Sequence, residues 1–498
     1  MSRTRWLSLV VLCVGMLMII LDQTIVNVAL PTIQRDLGFT QAGLAWVVNA
    51  YLVAFGGLLL LAGRLGDLVG RKRVFLAGLA VFTSASVLCG VSGSQPMLIA
   101  ARFLQGAGGA LTSAVILGMI VTTFPRPRER ATAIGVYSFV TSAGASIGLL
   151  AGGVLTEAIN WHWIFFVNLP IGVAAAILAA RLIDPDRGLG LRRGADVAGA
   201  LLVTAGLMLA VYTVVQVPER GWAAPWTVAS GATAAVLLAG FVVRQARAVN
   251  PLVPLRIFRS RDLSGANLVQ ALTVAGMLGM FFLGALYLQR VLGYHPLQIG
   301  LAFLPVAVGI GGLSLGLSAR LTTRFGARRV LLAGLGLITV GLVVLTRVPV
   351  DGHYRTDLLP ALLLLGTGAG LAIPAMMTLA MSGIPPEDAG LASGLANTTA
   401  QVGGAMGVAV LATLSTLRTH RLAAAGYPAA AALAGGFRLA FAIGAVFVVS
   451  AMLIAVTVLR RPLTQVGLDD PVVPADPPVG HGGVEAGDGR PVEADAHL

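Results

Sequence analysis

Asp22 stands directly after the apolar run "LSLVVLCVGMLMIIL", in the stretch "LDQTIVNVALP". A carboxylate there is costly if it meets hydrocarbon, so it must face a polar cavity, take a proton or find a partner. At about 1.5 Å per residue it lies about 24 Å into the first apolar helix, and Gln23 and Asn27 supply hydrogen-bonding groups beside it. Asp22 therefore serves either as a polar contact between helices or in proton or substrate handling.

Arg102, in "LIAARFLQGAGGALTSA", carries the opposite charge into another apolar run, with Gln105 almost one turn further on. A guanidinium keeps its charge at ordinary pH, so proton acceptance falls to a carboxylate or to water that it influences. Arg102 is then an electrostatic tuner of a proton site, unless it snorkels from a shallow depth to the headgroups. Asp67 and Arg71, in "GRLGDLVGRKRV", sit at a mouth between two apolar runs. Glycines there permit close approach, and a carboxylate can accept from a helix end or an arginine. The pair either latches one of two conformations or caps the loop statically. Asn267 and Gln270 in a ninth apolar run, and Asn397 and Gln401 in a thirteenth, join Asn27 and Gln105 as the candidate wall of a substrate cavity. Most other groups available to that wall are Ser, Thr, Met and aromatic side chains. Such a surface suits an amphipathic compound better than a sugar, which needs several fixed hydrogen bonds.

The element that must position all of these groups is a membrane bundle. The chain is 57% hydrophobic and 11% charged over 498 residues, with mean hydropathy +0.87, too little polar material to cover soluble domains. Fourteen runs, from residues 7–28 to 437–459, are long enough to cross a bilayer as helices. No small-residue cleavage site follows the first run, which is expected to remain as a span. The net charge of +13 is gathered in short loops between runs, where membrane orientation accounts for it, so no nucleic-acid partner is implied. Arg71–Arg73, Arg126–Arg130, Arg192 with Arg193, Arg244–Arg261 and Arg320–Arg329 all fall on one side, which puts both termini in the cytoplasm. Cys13 and Cys89 lie far apart in apolar runs and suggest neither a disulfide nor a thiolate metal site. The six histidines are scattered and no Gly-rich phosphate loop occurs, so the chain reads as no enzyme, with no metal and no cofactor.

The loop "GRLGDLVGRKRV" recurs as "ARLTTRFGARRV", and Gly135, Gly144 and Gly148 match Gly394, Gly403 and Gly407 at a constant offset of 259. Two echoes at nearly one offset define parallel halves, a plan that suits carriers rocking about a central site. The organisation is a half of six helices over 1–183, two linker helices over 184–262, a second six-helix half over 263–461, and a tail over 462–498. That tail, rich in Pro, Gly and Asp, is expected to be disordered and cytoplasmic. In the fifth run Gly144, Gly148 and Gly152 recur every fourth residue, a stripe for tight packing or for a pivot.

These motifs together resemble the major facilitator superfamily, and within it the fourteen-helix drug:proton antiporter branch of bacterial multidrug and antibiotic exporters. "LDQTIVNVALP" resembles that branch's first-helix motif, "GRLGDLVGRKRV" the loop between helices two and three, and "RFLQGAGGA" the fourth-helix motif. "GASIGLLAGGVL" is similar to the exporter signature of helix five, with Leu149 where a proline usually follows the glycine. The resemblance implies an all-α polytopic fold and alternating access in which inward proton movement drives efflux of an amphipathic drug. It implies proton coupling at Asp22 and Arg102, and a cytoplasmic gate at Asp67 and Arg71. The expected setting is the bacterial cytoplasmic membrane, with lipid around a monomer and no cofactor beyond the proton gradient. The rival reading is a proton-coupled exporter or symporter of an endogenous lipid or metabolite.

Overall fold

The computed structural model describes residues 2–186, 188, 190, 196–249, 251–313, 317–381 and 389–459. The expected tail at 462–498 and the Arg192 and Arg193 cluster lie outside the described residues. The helices are α1 (Ser2–Leu37), α2 (Gln41–Val69), α3 (Arg71–Gly90), α4 (Gln95–Thr123), α5 (Pro127–Ala158), α6 (Trp163–Phe166), α7 (Asn168–Leu182), α8 (Val197–Arg220), α9 (Pro225–Arg247), α10 (Arg261–Arg290), α11 (Pro296–Gly312), α12 (Ser318–Phe325), α13 (Ala327–Leu345), α14 (Leu359–Met381), α15 (Ala389–Ala424) and α16 (Ala429–Thr457). Among the described residues, twelve helical stretches are long and apolar enough to cross a membrane, with α6 and α7 forming one of them. The expected fifth and tenth runs fall on α5 and α11, which hold the shorter apolar stretches Ile147–Ala158 and Pro296–Gly312. Every backbone hydrogen bond of such a bundle is local, which is what hydrocarbon demands.

Local chemistry sets the breaks. The Thr40 hydroxyl accepts from the Gly43 N–H at 2.9 Å and starts α2. Gly70, at φ +110°, separates α2 from α3, and Gly326, at φ +86°, separates α12 from α13. Both are left-handed positions that favour glycine, and they occupy the same place in the two copies of the loop. The echo extends to side chains. Lys72 Nζ donates to the carbonyls of Ala180 and Ile183 at the end of α7; Arg328, its counterpart, donates to those of Ala455 and Val456 at the end of α16. In each half a cation covers the orphan carbonyls of the last helix, where the helix dipole also favours it.

The described helices pack as two groups, α1–α7 and α10–α16, with α8 and α9 between them in the chain. The glycine stripe packs within a half. A Cβ on Gly148 or Gly152 would meet the backbone carbonyls of Leu21 and Ile25 on α1 at 3.0 and 2.7 Å. The matching Gly403 and Gly407 bring α15 against Ala271 and Ala275 of α10. The halves join through α2 with α15, α5 with α11 and α1 with α10. Gln41 Nε2 donates to Ser415 Oγ at 3.0 Å, and the Leu297 N–H donates to Glu157 Oε2 at 3.0 Å. Both bonds lie at the end of the bundle that carries the turn between α1 and α2, so that end is closed.

Candidate functional site

Asp22 and Arg102 meet at the centre of the first half. Arg102 Nη1 donates to Asp22 Oδ2 at 2.6 Å, with side-chain exposures of 2% and 0%. Arg102 does not snorkel: its Nε donates to the Val47 carbonyl of α2 at 2.9 Å, and its Nη1 also reaches Gln105 Oε1 at 2.7 Å. The guanidinium carbon lies 4.4 Å from the centroid of the Tyr51 ring, whose π face favours a cation. A single arginine thus ties α1, α2 and α4 together.

The carboxylate is equally well held. Gln105 Nε2 donates to Asp22 Oδ1 at 2.7 Å, and Asn168 Nδ2 on α7 donates to the same oxygen at 3.3 Å. Both amides also donate to Ser86 Oγ on α3, at 3.1 and 3.0 Å, and that hydroxyl donates to the Phe165 carbonyl at 2.8 Å. Burying an ion pair is unfavourable unless its remaining lone pairs and protons find partners; here α2, α4 and α7 supply them, and Ser86 of α3, itself bonded to α6, holds the two amides in place. Gln105, expected on a cavity wall, is instead a fully buried member of this network. Its amide is fixed by four polar neighbours, which leaves it none to offer a substrate.

A cavity of about 30 Å³ reaches Arg102 from the side of the second half, lined also by Gln23, Asn27, Tyr51 and, from α10, Leu278. That is room for about one water molecule. A larger cavity of about 310 Å³ lies at the closed end among Gln34, Gln41, Glu219, Arg290 and Thr419, away from the ion pair. Asn27 lines the small cavity and donates to the Gln23 carbonyl at 3.0 Å. Asn267 is buried and donates to Leu263 of its own helix at 2.9 Å, Gln270 and Gln401 are half-buried, and Asn397 is exposed. Gln401 lies against Gly56 of α2, in the seam between the halves.

Asp67 and Arg71 form an exposed pair at 3.2 Å, and Arg71 Nη1 also donates to the Gly118 carbonyl of α4 at 3.1 Å. The backbone N–H groups of Arg71 and Lys72 donate to the Asp186 carboxylate at 2.6 and 3.0 Å, an anion at the start of α3. Asp186, Asn168 and Ser86 were not singled out from sequence. Asn168 was visible as a lone amide in "WIFFVNLPIG", but Ser86 carried no signal, since a serine in an apolar helix can bond its own backbone.

Two related half-bundles joined at a seam, with an ion pair buried in one of them beside that seam, are the build of a membrane carrier. The chain belongs to the Major Facilitator Superfamily, which it matches over residues 12–408, and it is a multi-pass membrane transporter, not an enzyme. It is 41% identical over 415 residues to the puromycin resistance protein pur8 of Streptomyces alboniger, covering 83% of this chain and 82% of that one. It is 38% identical to the cephamycin export protein CmcT of Amycolatopsis lactamdurans, covering 83% and 86%. In fold it is similar to a bacterial homologue of the lysosomal transporter Spinster in an inward-facing, unoccupied conformation, with a TM-score of 0.64, 17% identity and coverage of 92% and 98%.

Proposed function

We propose that the chain exports amphipathic drugs or antibiotics across the bacterial cytoplasmic membrane as a proton antiporter working by alternating access. The observation that carries this reading is the buried Asp22–Arg102 pair, whose Arg102 borders a water-sized space facing the other half. The names of the relatives, puromycin resistance and cephamycin export, favour an antibiotic cargo. With both termini cytoplasmic, as the basic loops favour, the closed end is the outer one.

In this reading a proton arriving at Asp22 neutralises the charge that Arg102 Nη1 contacts. The guanidinium keeps its charge and its bond to Val47, so the change is felt as a loosening of α1 against α4. Deprotonation toward the cytoplasm restores the pair, and one arrangement of the halves is favoured by each protonation state. Asp67, Arg71 and the Asp186 clamp stiffen the cytoplasmic mouth of the first half, which moves as one body. The test is puromycin movement in proteoliposomes under an imposed pH gradient. Antiport requires accumulation on the more acidic side, opposite to the proton flow; movement in the direction of the protons would replace this reading with symport.

A further inference from the structure

The two seams between the halves are not alike. Along α2 and α15 a third helix, α8, lies on both partners at once. Near the closed end Trp46 of α2 meets Tyr212 of α8, with ring centroids 6.4 Å apart. Midway, Gly57 of α2 leaves room for Thr204, whose hydroxyl would stand 2.5 Å from any Cβ there. Toward the other end Ala200 of α8 packs with Leu395 of α15, Leu58 of α2, and Leu252, Val253 and Ile257.

The bond from α15 is chemically specific. Pro218 sits inside α8 and has no N–H, so the Val214 carbonyl four residues earlier loses its helical partner. Thr413 Oγ1 of α15 donates to that carbonyl at 3.0 Å. An unpaired carbonyl in hydrocarbon is costly, so the proline makes α8 adhere to the other half. The hairpin is itself pinned, by Thr213 Oγ1 on Ser230 Oγ at 3.0 Å and by Asp196 on Arg244 at 2.5 Å.

The α5–α11 seam has apolar side chains open on both flanks. Ile147 and Val154 of α5 are 47% and 49% exposed, and Leu301 and Val308 of α11 are 47% and 60% exposed. Glycines bring the two backbones close there, with Gly300 against the Leu149 carbonyl and Gly153 against the backbone of Pro296 and Leu297. Glycine contacts lack interlocking side chains, so once the bond from the Leu297 N–H to Glu157 at the closed end is released the helices can part at these points.

We propose that the α8–α9 hairpin is a one-sided lateral seal. It shuts the α2–α15 seam to the bilayer and leaves α5–α11 as the seam through which a membrane-dissolved amphiphile reaches the space between the halves. The route rests on the exporter reading above, whereas the seal does not.

The test is photolabelling of the full chain in proteoliposomes with a diazirine-bearing alkylammonium amphiphile dissolved in the lipid, mapped by mass spectrometry. Val236 and Val243 on the exposed face of α9 report plain lipid contact. Label at Ile147, Val154, Leu301 and Val308 is expected at a comparable level, and several-fold above that at Trp46, Leu60 and Thr413. Thr413→Val is expected to raise label on α2 and α15, and Pro218→Ala, which restores an N–H for Val214, to reverse that rise. Equal label on the two seams of the unaltered chain would overturn the proposal, as would label on α9 with none at α5–α11. The readout needs no transport. Asymmetric label without gradient-driven puromycin movement would remove the exporter reading and leave the seal standing, and symmetric label with normal movement would do the reverse.

Discussion

At the scale of residues, the Asp22–Arg102 pair couples charge to packing. Removing one member of a buried pair leaves the other uncompensated, at a cost of about 3–5 kcal/mol. Asp22→Asn is therefore expected to lower the thermal midpoint of the purified protein and to abolish gradient-driven puromycin transport in proteoliposomes. Asp22→Asn combined with Arg102→Gln removes both charges while keeping amides near Gln105 and Asn168. That double variant should recover part of the lost stability and none of the transport. Recovery of transport along with stability would show that the pair is a structural staple and not a proton site. Asp22 and Arg102 were legible in sequence because a charge in an apolar run is rare and demands a partner. That they partner each other was not, because depth arithmetic alone cannot say which face of α1 turns toward α4. Gln105 was misplaced for the same reason: an amide reads alike on a cavity wall and in a buried network.

At the scale of elements, α8 and α9 show how an insertion is made rigid. Asp196 caps α8 through the Gly199 N–H at 2.9 Å, while Arg244 and Gln245 of α9 donate to its two oxygens at 2.5 and 2.7 Å. Gln245 Oε1 in turn accepts from the Val253 N–H at 3.0 Å and ties in the segment leading to α10. Burial alone would raise the Asp196 pKa, but the bonds from Arg244, Gly199 and Gln245 outweigh it and hold the carboxyl below its ordinary value. Since the folded-state pKa lies below the unfolded one, the stabilisation is complete above the unfolded value and fades only as pH falls through the folded one. Asp196→Ala is expected to cost about 1–2 kcal/mol through loss of the cap, read as a lower thermal midpoint at neutral pH. The difference from the unaltered chain should shrink only in acid below the ordinary carboxylate range; a gap that closes already near neutrality would contradict the assignment. The two extra helices were legible as apolar runs, but nothing in their composition pointed to α2 and α15. The proline at 218 was the one available clue, since it announced a carbonyl in need of a donor.

At the scale of the whole molecule, alternating access requires the closed end to open, and its fastenings belong to different halves. Gln41 of α2 reaches Ser415 of α15, while Glu157 at the end of α5 supplies a carboxylate to the first turn of α11 through the Leu297 N–H. An anion at a helix N-terminus is favourable and is lost when the helices separate, so both contacts exist only in the closed arrangement. The repeated glycines and basic loops made the two halves visible in sequence, whereas the fastenings were hidden because they join residues far apart in the chain, such as 41 and 415. Glu157→Gln keeps the shape and weakens the attraction, and is expected to increase labelling of a cysteine placed at Gln41 by a membrane-impermeant thiol reagent. A pair of cysteines replacing Gln41 and Ser415, joined by a short bifunctional thiol reagent, is expected to stop puromycin transport, with recovery on reductive cleavage of the link. The native Cys13 and Cys89 are buried and free, so they need not be removed for this measurement. Transport continuing at its normal rate through the cross-linked protein would mean that α2 and α15 never part at this end, and the halves would then have to open by some motion other than separation across this seam.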